Sequence, residues 1–371
     1  MKVLITGANG FIGKNLTCRL STIPGLEILS FTREDDEANL ASKIAVADTI
    51  VHLAGVNRPK NEDEFQTGNK DLTATICQIA AETGRSLPIL FTSSIQTSND
   101  SPYGKSKIDA EDVLTSYANA TDSAVTIFRL PNIMGKWCRP NYNSVVATFC
   151  HNISHGLPIR VDDEEAVIQI NYIDDLVDSF VVHLTRESAN SGQAVFANVE
   201  PVYEVTLKTL VELLKGFASS RTSLQVDAVG MGFKRALYAT YTSYLDESDF
   251  SYPLVSNTDV RGNFVEFIKT GDSGQVSYFT AKPGVTRGQH YHHTKTEKFL
   301  VVQGTARFRY RHLLNDKYHE LEISASKPSV VESIPGWTHD VTNIGNELLV
   351  VLLWSSEVFD KNRPDTIPGE I

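Results

Sequence analysis

Two textures share this chain, and they change over near Tyr252-Pro253. Before that point apolar runs alternate with stretches of helical periodicity, the pattern of βαβ units on a parallel sheet. Predicted strands there are Lys2–Ile5, Leu26–Phe31, Thr49–Leu53, Ile89–Thr92 and Val125–Arg129. After it, short β-rich runs follow one another with Gly, Asn and Pro between them, as in a small antiparallel barrel or jelly roll. The chain is therefore read as α/β with a doubly wound parallel sheet over 1–246, followed by an all-β jelly-roll barrel over 247–371. A length of 371 residues agrees with about two domains.

Composition removes several classes of function. With 41% hydrophobic and 21% charged residues the chain is an ordinary globular protein. No window approaches the roughly 20 apolar residues of a membrane helix, so membrane insertion is not expected. A formal charge of −11 argues against a general nucleic-acid binder. Cys18, Cys77, Cys138 and Cys150 stand far apart without a CxxC, which reads as free thiols in a reducing compartment. The N-terminus enters a strand at Lys2 with no basic-then-apolar leader, and the expected location is cytoplasmic.

The first strand runs into TGANGFIG, with Gly7, Gly10 and Gly13 opening a helix. The first glycine permits a tight turn and the second admits a pyrophosphate against the backbone. The third lets the helix pack close, with its N-terminal dipole toward negative charge. This is a Rossmann-type dinucleotide cradle, and Phe11, Ile12, Leu53 and Ala54 are placed beside it. At the end of the next strand stands Thr32-Arg33 instead of an acidic residue. Arg33 there pairs with a 2′-phosphate, which favours NADPH over NADH; the neighbouring Glu34-Asp35-Asp36 leaves a solvated surface arginine as the alternative. In SPYGKSK, Tyr103 and Lys107 are four residues apart and share one helix face. A nearby cation brings a phenol, ordinarily near pKa 10, toward acid–base work. Ser94, in FTSS at a strand end, supplies a hydroxyl for a substrate carbonyl.

These residues, together with VHLAG (Val51–Gly55), RLPNIMG (Arg129–Gly135) and NYIDDLV (Asn171–Val177), resemble the extended short-chain dehydrogenase/reductase family that acts on nucleotide sugars. The resemblance implies that Tyr103 protonates a ketone oxygen as hydride arrives, that Lys107 tunes it and holds the cofactor ribose, and that Ser94 orients the carbonyl. It further implies that Asn132 helps hold the sugar diphosphate and that Asn69 lies near the cofactor. Ser94 and Tyr103 are only nine residues apart, closer than in many relatives, which implies a more open site.

The second region carries a metal-ligand pattern. Gly284, His290, His292, Glu297 and Gly304 match G-x5-HxH-x4-E-x6-G, the first cupin motif, and Gly336, His339 and Asn343 match the second apart from its proline. His290 and His292 alternate along a strand and so face one side, and Glu297 is expected to return on the neighbouring strand. Three imidazoles and a carboxylate suit zinc first, then Fe, Mn or Ni. His293 is expected to face the other way, and His312 and His319 to lie at the surface.

The fusion of the two resembles a family of bifunctional capsular polysaccharide biosynthesis enzymes, with GKWCRPNYNSVVATFC, TDVRGNFVEFIKT, HHTKTEKFLVV and RPDT carrying the likeness. The resemblance implies a UDP-linked 4-keto-6-deoxy-N-acetylamino sugar as substrate. The cupin would invert C3 and the reductase would reduce C4, toward UDP-N-acetyl-L-fucosamine, in a homodimer. The base at C3 stays open among Lys298, Tyr310, His312 and a metal-bound water. Two rival readings are an NAD-dependent 4-epimerase or dehydratase with a structural cupin, and a non-enzymatic nucleotide-sugar or redox sensor.

Overall fold

The computed structural model describes residues 1–185 and 192–371. The chain divides into two compact units. The first comprises Met1–Leu214 with Met231–Leu245, and the second Lys215–Gly230 with Asp246–Ile371. The division expected at 246/247 falls beside the Leu245/Asp246 seam. The excursion 215–230, which joins the second unit, has no counterpart in the sequence reading.

In the first unit, β1 (Lys2–Thr6), β2 (Glu27–Phe31), β3 (Thr49–His52), β4 (Ile89–Ser94) and β5 (Val125–Leu130) precede β6 (Asn132–Met134), β7 (Val167–Tyr172), β8 (Ala194–Ala197) and β9 (Tyr203–Thr206). Six of them form a sheet in the order β2-β1-β3-β4-β5-β8, parallel throughout, and β6-β7-β9 form a small second sheet. Strands β3 and β4 are buried at every position, as a parallel sheet covered on both faces requires. Leu4, Ile50, Phe91 and Ile127 pack with Leu40, Ile44, Ile76 and Leu114 of the helices on one side. Phe128 turns the other way and meets Phe180 of helix Ile173–Thr185, their ring centroids 5.0 Å apart. This is the Rossmann-type doubly wound sheet that the sequence predicts.

Helix Pro102–Thr121 has local signals at both ends. Ser101 accepts from the Gly104 amide at 3.0 Å, Pro102 stands in the first turn, and Asp122 leaves the helix in left-handed backbone at φ 52°.

The second unit holds β10 (Gln225–Val226), β11 (Ser256–Asp259), β12 (Gly262–Thr270), β13 (Gln275–Ala281), β14 (Thr286–Tyr291), β15 (Glu297–Gln303), β16 (Thr305–His312), β17 (Tyr318–Ser324), β18 (Val330–Ser333), β19 (Trp337–Asn343), β20 (Leu349–Ser355) and β21 (Ile367–Pro368). One sheet runs β10-β12-β13-β20-β15-β18 with β11 beside β12, and the other β17-β16-β19-β14-β21. Phe279, Phe299, Val351 and Leu353 from the first sheet and Phe308, Tyr310 and Val341 from the second make one core, so two facing sheets enclose it. The four cysteines are free thiols, and no described helix is long and apolar enough to cross a membrane.

Candidate functional site

The loop after β1 is built around two glycines. Gly7 sits at φ +69°, and a Cβ there would stand 2.8 Å from the Ala54 nitrogen; a Cβ on Gly13 would stand 2.3 Å from the Gly7 carbonyl oxygen. A Cβ on Gly10 would meet only the Gly7 oxygen, at 3.1 Å, so that side of the loop is open. Helix Phe11–Leu20 begins there with no side-chain cap and no carboxylate in its first turn, leaving its positive end for an anion. Phe11 and Ile12 are half-buried in that turn, and Leu53 and Ala54 donate their amides to the Thr6 carbonyl and hydroxyl.

At the end of β2 the acidic residues are engaged. Asp35 accepts from the Thr32 amide at 2.8 Å and pairs with Lys43, whose hydrogen bond is the main cause holding its carboxyl below the ordinary range. Asp36 caps the next helix by accepting from Asn39 at 2.8 Å. Arg33 is exposed and has no side-chain partner among the described residues. The sequence alone left Arg33 in competition with these acids; the structure accounts for Asp35 and Asp36.

Tyr103, Lys107 and Glu111 recur every four residues along one face of helix Pro102–Thr121, beneath the end of β4. The Tyr103 hydroxyl lies near Ser94, itself buried at the last position of β4. Burial raises the phenol above its ordinary pKa, with Ser94 opposing. This differs from the expectation that Lys107 would lower it. The Lys107 ammonium donates to the Thr92 carbonyl at 2.9 Å and lies 4.7 Å from the Phe91 ring centre. Its pKa is pushed down to about 8, by burial first, with the Glu111 charge opposing. Glu111 is buried; Ser93 donates to it at 2.5 Å, and Arg129 binds it in a fork at 3.0 and 2.6 Å. Glu111 went unnoticed in the sequence, although the stride that links Tyr103 to Lys107 reaches it in one more turn.

Asn69 is buried among loop and helix partners. It donates to the Val56 carbonyl at 3.0 Å and to Ser106 at 2.9 Å and accepts from the Val56 amide at 2.9 Å, fastening the loop after β3. Asn132 is exposed at the start of β6 and donates to the Gln169 carbonyl at 3.0 Å.

In the second unit His290, His292, Glu297 and His339 converge, their ligand atoms all within 4.8 Å of one another. His290 and His339 are cross-strand partners of β14 and β19, and a bulge before His290 places Gln289 at φ +61°. Glu297 departs from expectation: it opens β15, which pairs with β18 and β20, so it comes from the opposite sheet and not from a strand beside β14. His292 and His339 bring Nε2 to 3.2 and 3.4 Å from the Glu297 carboxylate. Burial alone would raise that carboxyl; the two imidazoles and Lys295 outweigh it and hold it well below the usual range. His290 is pushed down to about 4, by burial and then by His339, and is therefore a neutral imidazole. The Nε2 atoms of all three histidines are buried without a hydrogen-bond partner among the described residues. Three imidazoles and a carboxylate at these distances are a set that could hold a divalent cation.

Of the base candidates, Lys298 alternates outward between buried Glu297 and Phe299 and pairs with Glu332. Tyr310 is buried and donates to the Glu332 carbonyl at 3.0 Å, and burial raises its pKa. His312 is half-buried against Trp337, with ring centroids 4.9 Å apart. His293 and His319 are exposed. Lys295, which the sequence did not single out, is buried with its ammonium 3.7 Å from Glu297.

Residues 3–197 match the NAD dependent epimerase/dehydratase family and residues 257–367 the polysaccharide biosynthesis C-terminal domain. The chain is 50% identical to a UDP-2-acetamido-2,6-beta-L-arabino-hexul-4-ose reductase of Pseudomonas aeruginosa, over 99% of this chain and 98% of that one. It is similar in structure to the capsular polysaccharide assembling protein CapF from Staphylococcus aureus, with a TM-score of 0.92, 42% identity and full coverage of both chains. A UDP-glucuronic acid 4-epimerase from Bacillus cereus, at 17% identity and a TM-score of 0.56 over 66% of this chain and 98% of that one, shares the fold of the N-terminal region.

Proposed function

The chain belongs to the NAD dependent epimerase/dehydratase family and carries a polysaccharide biosynthesis C-terminal domain behind that fold; on this premise we propose that it is a bifunctional nucleotide-sugar enzyme. Its substrate is a UDP-2-acetamido-2,6-dideoxy-4-hexulose. The second unit inverts C3, and the first reduces the C4 ketone with NADPH. The product is UDP-2-acetamido-2,6-dideoxy-L-talose, on the route to UDP-N-acetyl-L-fucosamine for surface polysaccharide. The name of the Pseudomonas relative, a reductase of a UDP-linked 4-ulose, supports the substrate class.

The observation that carries the reading is the single helix face that presents Tyr103, Lys107 and Glu111 below Ser94. A ketone reductase needs an acid that still holds its proton at neutral pH. Burial keeps Tyr103 in that form, and Ser94 beside it holds the same carbonyl oxygen. Lys107, the cation below, offsets the negative charge left on the phenol after transfer. A bound reduced nicotinamide is the hydride source for C4. The open side of Gly10, the uncapped helix start and Arg33, which has no side-chain partner among the described residues, fit a dinucleotide with a 2′-phosphate. Dehydration is disfavoured because the residues after Ser94, Ile95 and Gln96, are not acids.

His290, His292, Glu297 and His339 would hold a divalent metal, zinc first, which supplies positive charge for an enolate oxygen. A 4-ketone acidifies the hydrogen on C3, and the alcohol does not, so epimerisation precedes reduction. Supplying the 4-keto sugar with NADPH in heavy water tests both halves by NMR. Deuterium at C3 and cofactor hydride at C4 are expected. Reduction without C3 deuterium would remove the epimerase half, and no NADPH oxidation would remove the reductase. A homodimer belongs to the same proposal and is tested by light scattering.

A further inference from the structure

The loop that carries the first two histidines is held along its whole length by a segment seventy or more positions further on. Asp365 accepts three consecutive backbone amides: His293 on one carboxylate oxygen at 2.8 Å, and Thr294 and Lys295 on the other, each at 2.8 Å. The Thr294 hydroxyl adds a fourth donor at 3.1 Å. The Asp365 carbonyl accepts from Nδ1 of His292. A neutral imidazole that donates through Nδ1 presents Nε2 as a bare lone pair, so this bond selects the ligating tautomer. Thr366 then accepts from the Lys295 ammonium at 2.8 Å. Beyond it β21 pairs with β14, Ile367 opposite Tyr291 and Pro368 opposite His290, and the Gly369 amide donates to the Gln289 carbonyl at 3.0 Å. Every residue from Gln289 to Lys295 therefore has a partner in Asp365–Gly369.

We propose that Asp365–Gly369 is the outer shell of the histidine cluster, and that Asp365 is a positioning residue that sets the affinity of the second unit for a divalent cation. The inference rests on the reading of the cluster as a metal site. The chemistry is specific to a carboxylate. Four donors converge on its two oxygens, and an amide in its place would turn an NH₂ group toward one set of N–H groups.

Metal affinity of the full-length chain is the direct test, read by cobalt(II) absorption and by zinc competition against a chelator. Asp365→Asn is expected to weaken zinc binding about 10- to 100-fold and to alter the cobalt band as His292 loses its fixed orientation. The thermal transition of the second unit, measured without metal, is the control for folding, and NADPH binding by the first unit should stay unchanged. Asp365→Glu keeps both oxygens at a displaced position and should lose affinity by several-fold, so it covers the case in which Asp365→Asn does not fold. Wild-type affinity and an unaltered cobalt band in a folded Asp365 variant overturn the outer-shell role while leaving the metal site standing. Saturable cobalt binding that is absent from the parent chain, or identical in His339→Ala, overturns the metal reading and this inference together.

Discussion

Both candidate sites bury ionisable side chains, yet they hold them in different charge states. Around Lys107 the first unit supplies the Thr92 carbonyl, the face of Phe91 and the Glu111 carboxylate, so burial lowers its pKa only to about 8 and a cation persists at neutral pH. Around the imidazoles the second unit leaves every Nε2 without a hydrogen-bond partner among the described residues, and burial takes His290 down to about 4. Where partners surround a buried group, the chain keeps a charge to work with. Where burial prevails, as at His290, the ring is neutral and offers a lone pair.

The contrast predicts that the sites fail independently, with the largest effect at the phenol. Tyr103→Phe should lower ketone reduction by roughly 10²- to 10⁴-fold, with C3 exchange in heavy water intact; loss of both would mean that one site serves both steps. Metal withdrawal should act on the other side. A chelator is expected to lower the melting temperature of the second unit, by a free energy of about 3–4 kcal/mol at metal 100 to 1,000 times its dissociation constant, while NADPH binding persists. C3 exchange measured on the same metal-free sample decides whether the ion is catalytic or only structural.

Smaller effects test the surroundings. Arg33→Ala should reduce kcat/KM for NADPH by about tenfold, the scale of one charge-assisted hydrogen bond, and leave NADH turnover unchanged; equal losses with both cofactors would contradict a 2′-phosphate contact. The subtlest is a pH effect. Reduction should decline as pH rises through about 8, where Lys107 loses its proton. Stability should move oppositely: the unfolded lysine still binds a proton between about 8 and its ordinary 10.5, so the penalty for burying the ammonium is relieved as pH rises across that window. Glu111→Gln removes the charge that raises Lys107 and should shift the alkaline limb of the rate profile to lower pH. An unmoved limb would assign it to another group.

How much of each site could be read in advance follows from the same contrast. Tyr103 and Lys107 are joined by a helical stride, and the glycines of the cradle by their spacing within one turn, so local sequence contained both. Glu111 lay on that stride and was missed only because the count stopped a turn early. The four ligands were also legible, since HxH, the following glutamate and a distant histidine have a recognisable spacing. Their geometry was not: Glu297 arrives from the opposite sheet, and a bulge at Gln289 sets the register of His290 against His339. Asp365 left no signal near the residues it holds, because three of the four donors to its carboxylate are backbone amides, which any sequence supplies.

The excursion at 215–230 bears on how the two proposed activities can be taken apart. The chain passes between units at Leu214/Lys215, Gly230/Met231 and Leu245/Asp246, and in between it contributes the edge pairs Gln225–Lys269 and Val226–Thr270. Severing the polypeptide after residue 246 would strand that edge with the wrong fragment. Transplanting the half that carries the histidine cluster into a relative would have to carry residues 215–230 with it. Point substitutions, and not truncation, are therefore the means of assigning each reaction to its half.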